Sequence, residues 1–367
     1  MRKILKVTEF IKNNPNWREI LSGPPYGITI KDDGDFILLK YSQIDSDFNI
    51  EIVRECRGLI IDKNLDPVCI PFYKFGNYGE PYAENIDWAT AKVEEKIDGS
   101  LIKVWNYDGK WIVSTNGTIF ACKANIGSDT GNEMAADTAY KNFGELFEAA
   151  ASISGLDINS LDPRYTYMFE LVSPYNRVVV PYEAVALYHI GTRDNISLKE
   201  LETDIGIKKP STYRYSNIND LIEMASKLRY CEEGYVVKDA DYRRIKVKSP
   251  AYVSVSHLIS GLNEKRLLEL LRTNEVDEFL TYFPEYKPHI DALTHKIDCL
   301  AEYLDNIIKE KIASAYYETR KDYAEMATKT KYPAFCFLYY DGKTKTPQEW
   351  IWSLTNDKIM EQLARSL

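Results

Sequence analysis

The chain has 367 residues, with 46 Lys+Arg against 55 Asp+Glu and a net charge of −9. Its 45% hydrophobic and 28% charged residues suffice for a full core, and its length suits roughly two ordinary domains, which excludes collagen-like, disordered and mini-protein classes. The acidic total also argues against a protein that coats polyanions broadly, so any nucleic-acid contact must rest on local positive charge.

A short amphipathic helix over 3–13 opens the chain. Its basic residues have no sustained apolar run behind them, so no signal peptide is expected. The rest of the first ninety residues alternates short apolar runs with turn residues, as in Phe36–Leu39 and Gly58–Asp62, and predicts strands. Ala91–Glu95 predicts another, followed by Lys96-Ile97-Asp98-Gly99-Ser100 and then by Leu101–Tyr107 and Lys110–Thr115 around Asp108-Gly109. That Asp-Gly pair is a hairpin signal, and it leaves Lys96–Ser100 in a loop between two strands. Residues 129–162 are alanine-rich and helical in pattern, with seven acids against Lys141 alone, so this one stretch supplies −6 of the net charge. Strands return at Tyr165–Val172, Arg177–Val180 and Ala184–Ile190, helices are expected at 197–205 and 218–228, and Gly234–Lys238 and Arg243–Lys248 predict two more strands. Beyond Ser254, Ile297, Leu300, Leu304, Ile307, Ile308 and Ile312 recur at helical spacing. The expected architecture is α+β over 1–253, followed by an all-α domain over 254–367.

Several site types are absent. The six cysteines sit at no metal or redox spacing and read as reduced intracellular thiols, and no HExxH, GxSxG or GxGxxG occurs. Gly342-Lys343-Thr344 resembles the end of a phosphate loop, but Phe337 stands where the first glycine belongs. The longest apolar candidate for a membrane span, Val178–Ile190, is short and broken by Pro181 and Glu183, so a soluble, cytoplasmic protein with no membrane partner is expected.

The informative segment is Lys96–Ser100. A loop lysine followed by a permissive glycine can approach a phosphate as a nucleophile. Alone it is also a common hairpin turn. It gains weight from three downstream stretches, each at a strand: Phe169-Glu170, Glu233-Gly234-Tyr235-Val236, and Lys246-Val247-Lys248. Lys246 and Lys248 are two apart on a strand and share one face, as a phosphate cradle requires.

With Glu55-Cys56-Arg57-Gly58, Lys74-Phe75 and Asn176-Arg177-Val178-Val179, these stretches resemble the covalent nucleotidyltransferases, the superfamily of ATP-dependent ligases and capping enzymes, and within it the tRNA-repair RNA ligases of T-even phages. The resemblance spans 55–249. It implies an antiparallel or mixed-sheet, ATP-grasp-like nucleotidyltransferase domain, ATP as adenylyl donor, Mg²⁺ or Mn²⁺, and RNA with 5′-phosphate and 3′-hydroxyl ends, nicked tRNA included. A monomer is favoured, in the host cytoplasm if the source is viral.

By the resemblance Lys96 is the nucleophile, and Lys246 and Lys248, with metal ions, are expected to lower its pKa and to neutralise phosphate charge. Glu170 and Glu233 are the metal and ribose carboxylates. Arg57 and Lys74 grip the outer phosphates, with Arg54 as an alternative, and Glu95, Ile97 and Val236 line the nucleotide. Asp98 orients the loop or ribose, and Arg177 contacts the nucleotide or the RNA end. The helical C-terminal domain is assigned to RNA specificity. The chain departs from the family at Gly76, where a second aromatic is usual, and at Asn116, where a lysine is usual. A DNA ligase or a capping guanylyltransferase fits less well, because Ser100-Leu101-Ile102 follows the Asp-Gly where an arginine is expected and no barrel signal follows the paired lysines. A catalytically silent RNA- or nucleotide-binding module is opposed by the intact Lys96, Glu233, Lys246 and Lys248.

Overall fold

The computed structural model of the chain describes residues 4–126, 139–260, 262–314 and 316–366. Two compact units divide it, Met1–Ser260 and Gly261–Leu367. The first unit begins with helices α1 (Lys6–Asn13) and α2 (Trp17–Ser22), strands β1 (Ile28–Asp33) and β2 (Phe36–Tyr41), helix α3 (Glu51–Glu55), and strands β3 (Arg57–Asp62) and β4 (Pro67–Cys69). It continues with β5 (Lys92–Glu95), β6 (Ser100–Tyr107), β7 (Lys110–Thr115), α4 (Phe143–Ser154), β8 (Tyr165–Val172), β9 (Ala186–Asp194), β10 (Glu200–Leu201) and β11 (Thr212–Tyr213). Helix α5 (Ile218–Ser226), β12 (Gly234–Lys238), β13 (Arg244–Lys248) and α6 (Pro250–Ile259) complete it. Among the described residues the strands form three antiparallel sheets, in the orders β1-β2-β3-β4, β10-β9-β8-β6-β7 and β11-β5-β12-β13.

β6 explains how the layers meet. Both of its faces are buried: Ile102 and Val104 join Phe143, Leu146 and Phe147 of α4, while Trp105 packs with Leu38 of β2 and Ile60 of β3. Each such fully buried large side chain contributes on the order of 1.5–3 kcal/mol. α4 starts where the Asn142 side chain accepts from Glu145 N and stops at Gly155, whose φ of 73° a side chain would resist. At the β6–β7 hairpin Asp108 and Gly109 both take positive φ, as the Asp-Gly signal predicts.

Three sequence expectations change. Arg177–Val180 is not a strand, because Val179 and Val180 give their N–H groups to the Asp98 carboxylate instead of a neighbouring strand. The helix expected at 197–205 is replaced by β10, whose Glu200 is drawn into the interior by two arginines. In the acidic stretch 129–162 a helix occupies Phe143–Ser154 and a single 3-10 turn Ile158–Ser160, while 129–138 lies outside the described residues.

The helix that follows the paired lysines, α6, belongs to the first unit, where its Tyr252 reaches Asp98. The second unit carries α7 (Glu264–Thr273), α8 (Val276–Tyr282), α9 (Lys287–Ile307), α10 (Arg320–Thr328), α11 (Pro333–Tyr340), α12 (Pro347–Ser353) and α13 (Asn356–Ser366). Ile290, Leu293, Ile297, Leu300 and Leu304 form the buried stripe of α9 at helical spacing. Among the described residues no helix is long and apolar enough to cross a membrane.

Candidate active site

Strand register assembles the site. β5 pairs with β12 so that Glu95 faces Tyr235, and β12 pairs with β13 so that Gly234 faces Lys248 and Val236 faces Lys246. Lys96 leaves the end of β5 with its N–H on Gly234 O at 2.9 Å, which sets it beside Glu233 and Lys248. Lys96 Nζ donates to Glu233 Oε2 at 2.7 Å, and Lys248 Nζ lies 2.9 Å from Glu233 Oε1. The Glu233 side chain is 3% exposed, against 21% for Lys96 and 30% for Lys248, so one buried carboxylate bridges two half-buried ammonium groups.

The Lys96 loop is fixed from below. Asp98 Oδ2 accepts from Val179 N at 2.9 Å and Val180 N at 2.8 Å, and its Oδ1 accepts from the Tyr252 hydroxyl at 2.7 Å. Gly99 donates to Glu170 Oε1 at 3.2 Å, and a Cβ there would stand 2.4 Å from Leu171 O, so only glycine allows the loop this close to β8.

Electrostatics distinguishes the lysines. Burial alone would lower the pKa of Lys96, but the charges of Glu233 and Glu170 and the bond to Glu233 outweigh it and hold the group above the ordinary lysine value. Lys246 is the opposite case: burial, then Lys74, Arg57, Lys96 and Lys248, push it down to about 6. The lowered lysine is therefore Lys246, not Lys96 as the sequence suggested. Burial raises Glu170 to about 7, whereas in Glu233 the effect of burial is overcome by Lys96 and Lys248, which keep its carboxyl below the usual range.

A cavity of about 180 Å³ gathers Arg57, Glu95, Lys96, Ile97, Glu170, Glu233, Val236, Lys246 and Lys248 from the residues singled out in the sequence. Phe75, from the Lys74-Phe75 stretch, and Arg244, from the basic run ahead of Lys246, also line it, while the sequence reading missed Phe72, Glu94, Ile190 and Pro210. Arg57 lies over the Phe72 ring at 4.4 Å and the Phe75 ring at 5.4 Å, with its Nη1 buried and without a hydrogen-bond partner among the described residues, and Lys246 Nζ lies 5.2 Å from the Phe75 ring.

Lys74 and Arg54 line instead an adjoining cavity that shares Phe75 and Arg244. Lys74 sits 4.7 Å from the Phe48 ring, pushed down to about 8 first by burial and then by Arg57, and Arg54 Nη1 is spent on Phe48 O at 2.7 Å and Asn49 O at 3.0 Å. Arg177 turns its Nε to Val179 O at 3.0 Å.

Asn116 packs on Gly58, whose φ is +72° and whose Cβ would stand 2.5 Å from Asn116 O. The Lys103 ammonium donates to Gly58 O from full burial. Lys103 carried no signal, because a lysine in an alternating strand reads as a solvent-facing position. Tyr252 did carry one: Ser249-Pro250 marks a helix start, and Ser249 Oγ indeed accepts from Tyr252 N at 3.2 Å. Among the described residues no cluster of three or more His, Cys, Asp or Glu could hold a metal unaided.

A loop lysine set on a buried glutamate, opposite two lysines on one strand face, defines a site of nucleotidyltransferase type. An RNA ligase family profile matches residues 55–252, more than half of the sequence, and the chain belongs to that family. It is 32% identical over 279 residues to a protein of Autographa californica nuclear polyhedrosis virus named as a putative bifunctional polynucleotide kinase/RNA ligase, covering 70% of this chain and 39% of that one. It is 26% identical over 318 residues to the RNA ligase of Rhodothermus phage RM378, covering 69% of this chain and 71% of the phage protein. This chain thus spans about two fifths of the length of the viral relative. A solved structure of a Naegleria gruberi RNA ligase variant with ATP and Mn aligns at 15% identity and a TM-score of 0.34, over 46% of this chain and 52% of that one.

Proposed function

We propose that this chain is an ATP-dependent RNA ligase that joins a 5′-phosphate to a 3′-hydroxyl through lysyl-AMP and RNA-adenylate. The observation that carries this reading is the contact of Lys96 Nζ with Glu233 Oε2 at 2.7 Å, opposite Lys246 and Lys248 in one cavity. In the first step the Lys96 nitrogen, having lost a proton, attacks the α-phosphorus of ATP, the bond to the bridging β-phosphate oxygen breaks, and pyrophosphate leaves. Next a phosphate oxygen of the RNA 5′ end attacks the same phosphorus and frees Lys96. Last, a 3′-hydroxyl attacks the RNA phosphorus and AMP departs.

Arg57, held over two aromatic rings with an unused N–H, suits the outer phosphates. Lys246 and Lys248 offset charge on the phosphoryl oxygens. Ile97 and Val236 provide apolar walls for the base beside Glu95. Glu170 and Glu233 fit a hard divalent cation only together with phosphate oxygens and water, which is how Mg²⁺ commonly binds. When bound, that cation supplies charge stabilisation at phosphorus. Lys74 and Arg54 stand beside this cavity, at the exit we assign to pyrophosphate. In this reading the helical second unit selects the RNA, with nicked tRNA as the expected substrate.

The test is incubation with ATP labelled in the α-phosphate, with and without Mg²⁺. A covalent label on wild type that vanishes in Lys96→Ala is expected, and equal labelling of both overturns the mechanism. Repeating it with GTP separates ligation from capping chemistry, and single-stranded RNA offered beside a nicked duplex tests the RNA reading.

A further inference from the structure

The ligase reading requires an RNA 5′-phosphate to reach the phosphorus that ATP brings and a 3′-hydroxyl to reach that 5′-phosphate in turn, and the nucleotide cavity accounts for ATP alone. A second cavity of about 500 Å³ adjoins it and shares the walls formed by Lys246 and Lys248. β13 is the edge strand of its sheet, and among the described residues only a short stretch of backbone pairs with its free side: Lys246 N bonds to Gly76 O at 2.9 Å, and Tyr78 N bonds to Lys246 O at 2.8 Å. Beyond that stretch the edge opens between Tyr78, Ile222 of α5, and Tyr252 and Val253 of α6, all of which line this second cavity.

The surface is unusual in composition. Tyr78 is 51% exposed and Ile222 38% exposed, and isoleucine ordinarily buries such area. One exposed apolar residue would need no explanation. Here two of them line the same cavity as two lysines, one of which, Lys246, has no ion-pair partner among the described residues. An apolar, aromatic wall beside Lys246, a buried lysine crowded by other cations and short of an anion, matches a nucleotide, which offers a ring face to stack and a phosphate to supply that anion.

We propose that this cavity seats the terminal nucleotide of a single-stranded RNA end, with its base against Tyr78 and Ile222 and its phosphate toward Lys246 and Lys248. The proposal rests on the ligase reading and adds to it where the RNA binds. A nucleotide there abuts the lysines that also line the nucleotide cavity, so the two substrates meet at Lys246 and Lys248.

The experiment compares wild type with Tyr78→Ala, Tyr78→Phe and Ile222→Ala, reading two steps relative to lysyl-AMP formation, which involves no RNA. AMP transfer to an RNA 5′-phosphate reports the donor end, and sealing of a pre-adenylated RNA to a 3′-hydroxyl strand reports the acceptor end. Tyr78→Ala is expected to lower one of these ratios by about tenfold, and the step affected identifies which end occupies the cavity. Tyr78→Phe, which keeps the ring, should stay close to wild type. Both ratios unchanged in Tyr78→Ala, or an equal loss in Tyr78→Phe, overturns the proposal. Fluorescence anisotropy with a labelled oligoribonucleotide tests the cavity without catalysis: weaker binding by Tyr78→Ala and Ile222→Ala supports it, and unchanged binding by both overturns it. Failure of the wild type to form lysyl-AMP would overturn the ligase reading instead, and the anisotropy result would still decide the cavity.

Discussion

The Lys96 ammonium rests on the Glu233 carboxylate at 2.7 Å, and that contact keeps the proposed nucleophile charged in the resting site. The lysine pushed down furthest in the cluster is Lys246, buried and crowded by Lys74, Arg57, Lys96 and Lys248. A divalent cation accompanying ATP would be held by Glu233 and Glu170 with phosphate oxygens, and by drawing on the Glu233 charge it would weaken the hold on the Lys96 proton.

The raised pKa of Lys96 sets a pH dependence. Attack requires neutral Lys96, so the reactive fraction at pH 7 is small and grows about tenfold per pH unit. Single-turnover lysyl-AMP formation should therefore rise steadily from pH 7 to 9. Glu233→Gln removes the charge that holds the proton, so its profile should move to lower pH even though its maximal rate falls. Identical profiles for wild type and Glu233→Gln would contradict this account.

Tyr252 and Asp98 give a second expectation. The Tyr252 hydroxyl donates 2.7 Å to Asp98 Oδ1, while the ring lies 5.2 Å from Lys248 Nζ. Tyr252→Phe keeps the ring and deletes a bond to a buried carboxylate, a loss of about 1.5–3 kcal/mol in urea unfolding. Asp98 also anchors the Lys96 loop, so lysyl-AMP formation should slow in the same variant.

Lys103 should separate stability from activity. Burial pushes it down to about 8, well below its ordinary 10.5, so between these values the unfolded chain binds more protons and stability increases with pH. Below pH 8 the buried charge is a standing cost. Lys103→Met should stabilise the protein at pH 7 by up to about 3 kcal/mol, less about 1 kcal/mol for the lost bond to Gly58 O, and the gain should shrink as pH approaches 10.5. Arg57 is the residue before Gly58, so the same variant should form lysyl-AMP more slowly at low ATP. Thermal melts at pH 7 and 10, beside labelling over a range of ATP concentrations, check both halves.

What was legible in the sequence was periodic or punctuated. Tyr165–Val172 emerges as β8 with the bounds its alternation suggests, and the lysine loop falls where the Asp-Gly hairpin leaves room for it. What was illegible depended on contacts distant in sequence. Val178–Val180 has the apolar, β-branched makeup of a strand, but Asp98, some eighty residues earlier, takes the N–H groups of Val179 and Val180. Lys103 looked solvent-facing because single-strand parity cannot reveal that β6 is covered on both sides. Lys74 and Arg54 were assigned to the outer phosphates by the resemblance, and the path of the backbone sets them in the neighbouring cavity.

The expected helix at 197–205 failed for a related reason, and its replacement makes the last prediction. Glu200 Oε1 on β10 accepts from Arg193 Nη2 at 2.7 Å and from Arg244 Nη1 at 2.9 Å, with all three side chains at most 6% exposed. Helical propensity in the segment is weaker than the pull of two buried guanidinium groups on one carboxylate. Glu200→Ala would leave those two charges buried and facing each other, a loss of about 3–5 kcal/mol in chemical denaturation. Burial pushes the Glu200 carboxyl up, but Arg244 and Arg193 outweigh it and hold it below the usual range. Its contribution is therefore present above about pH 4.5 and is lost as pH falls through the lowered folded value. The stability gap between wild type and Glu200→Ala should be full at pH 7 and should narrow in acid below pH 4.5. Because Arg244 also lies 5.0 Å from the Phe72 ring in the nucleotide cavity, Glu200→Ala should weaken ATP-dependent labelling even at temperatures where the variant remains folded.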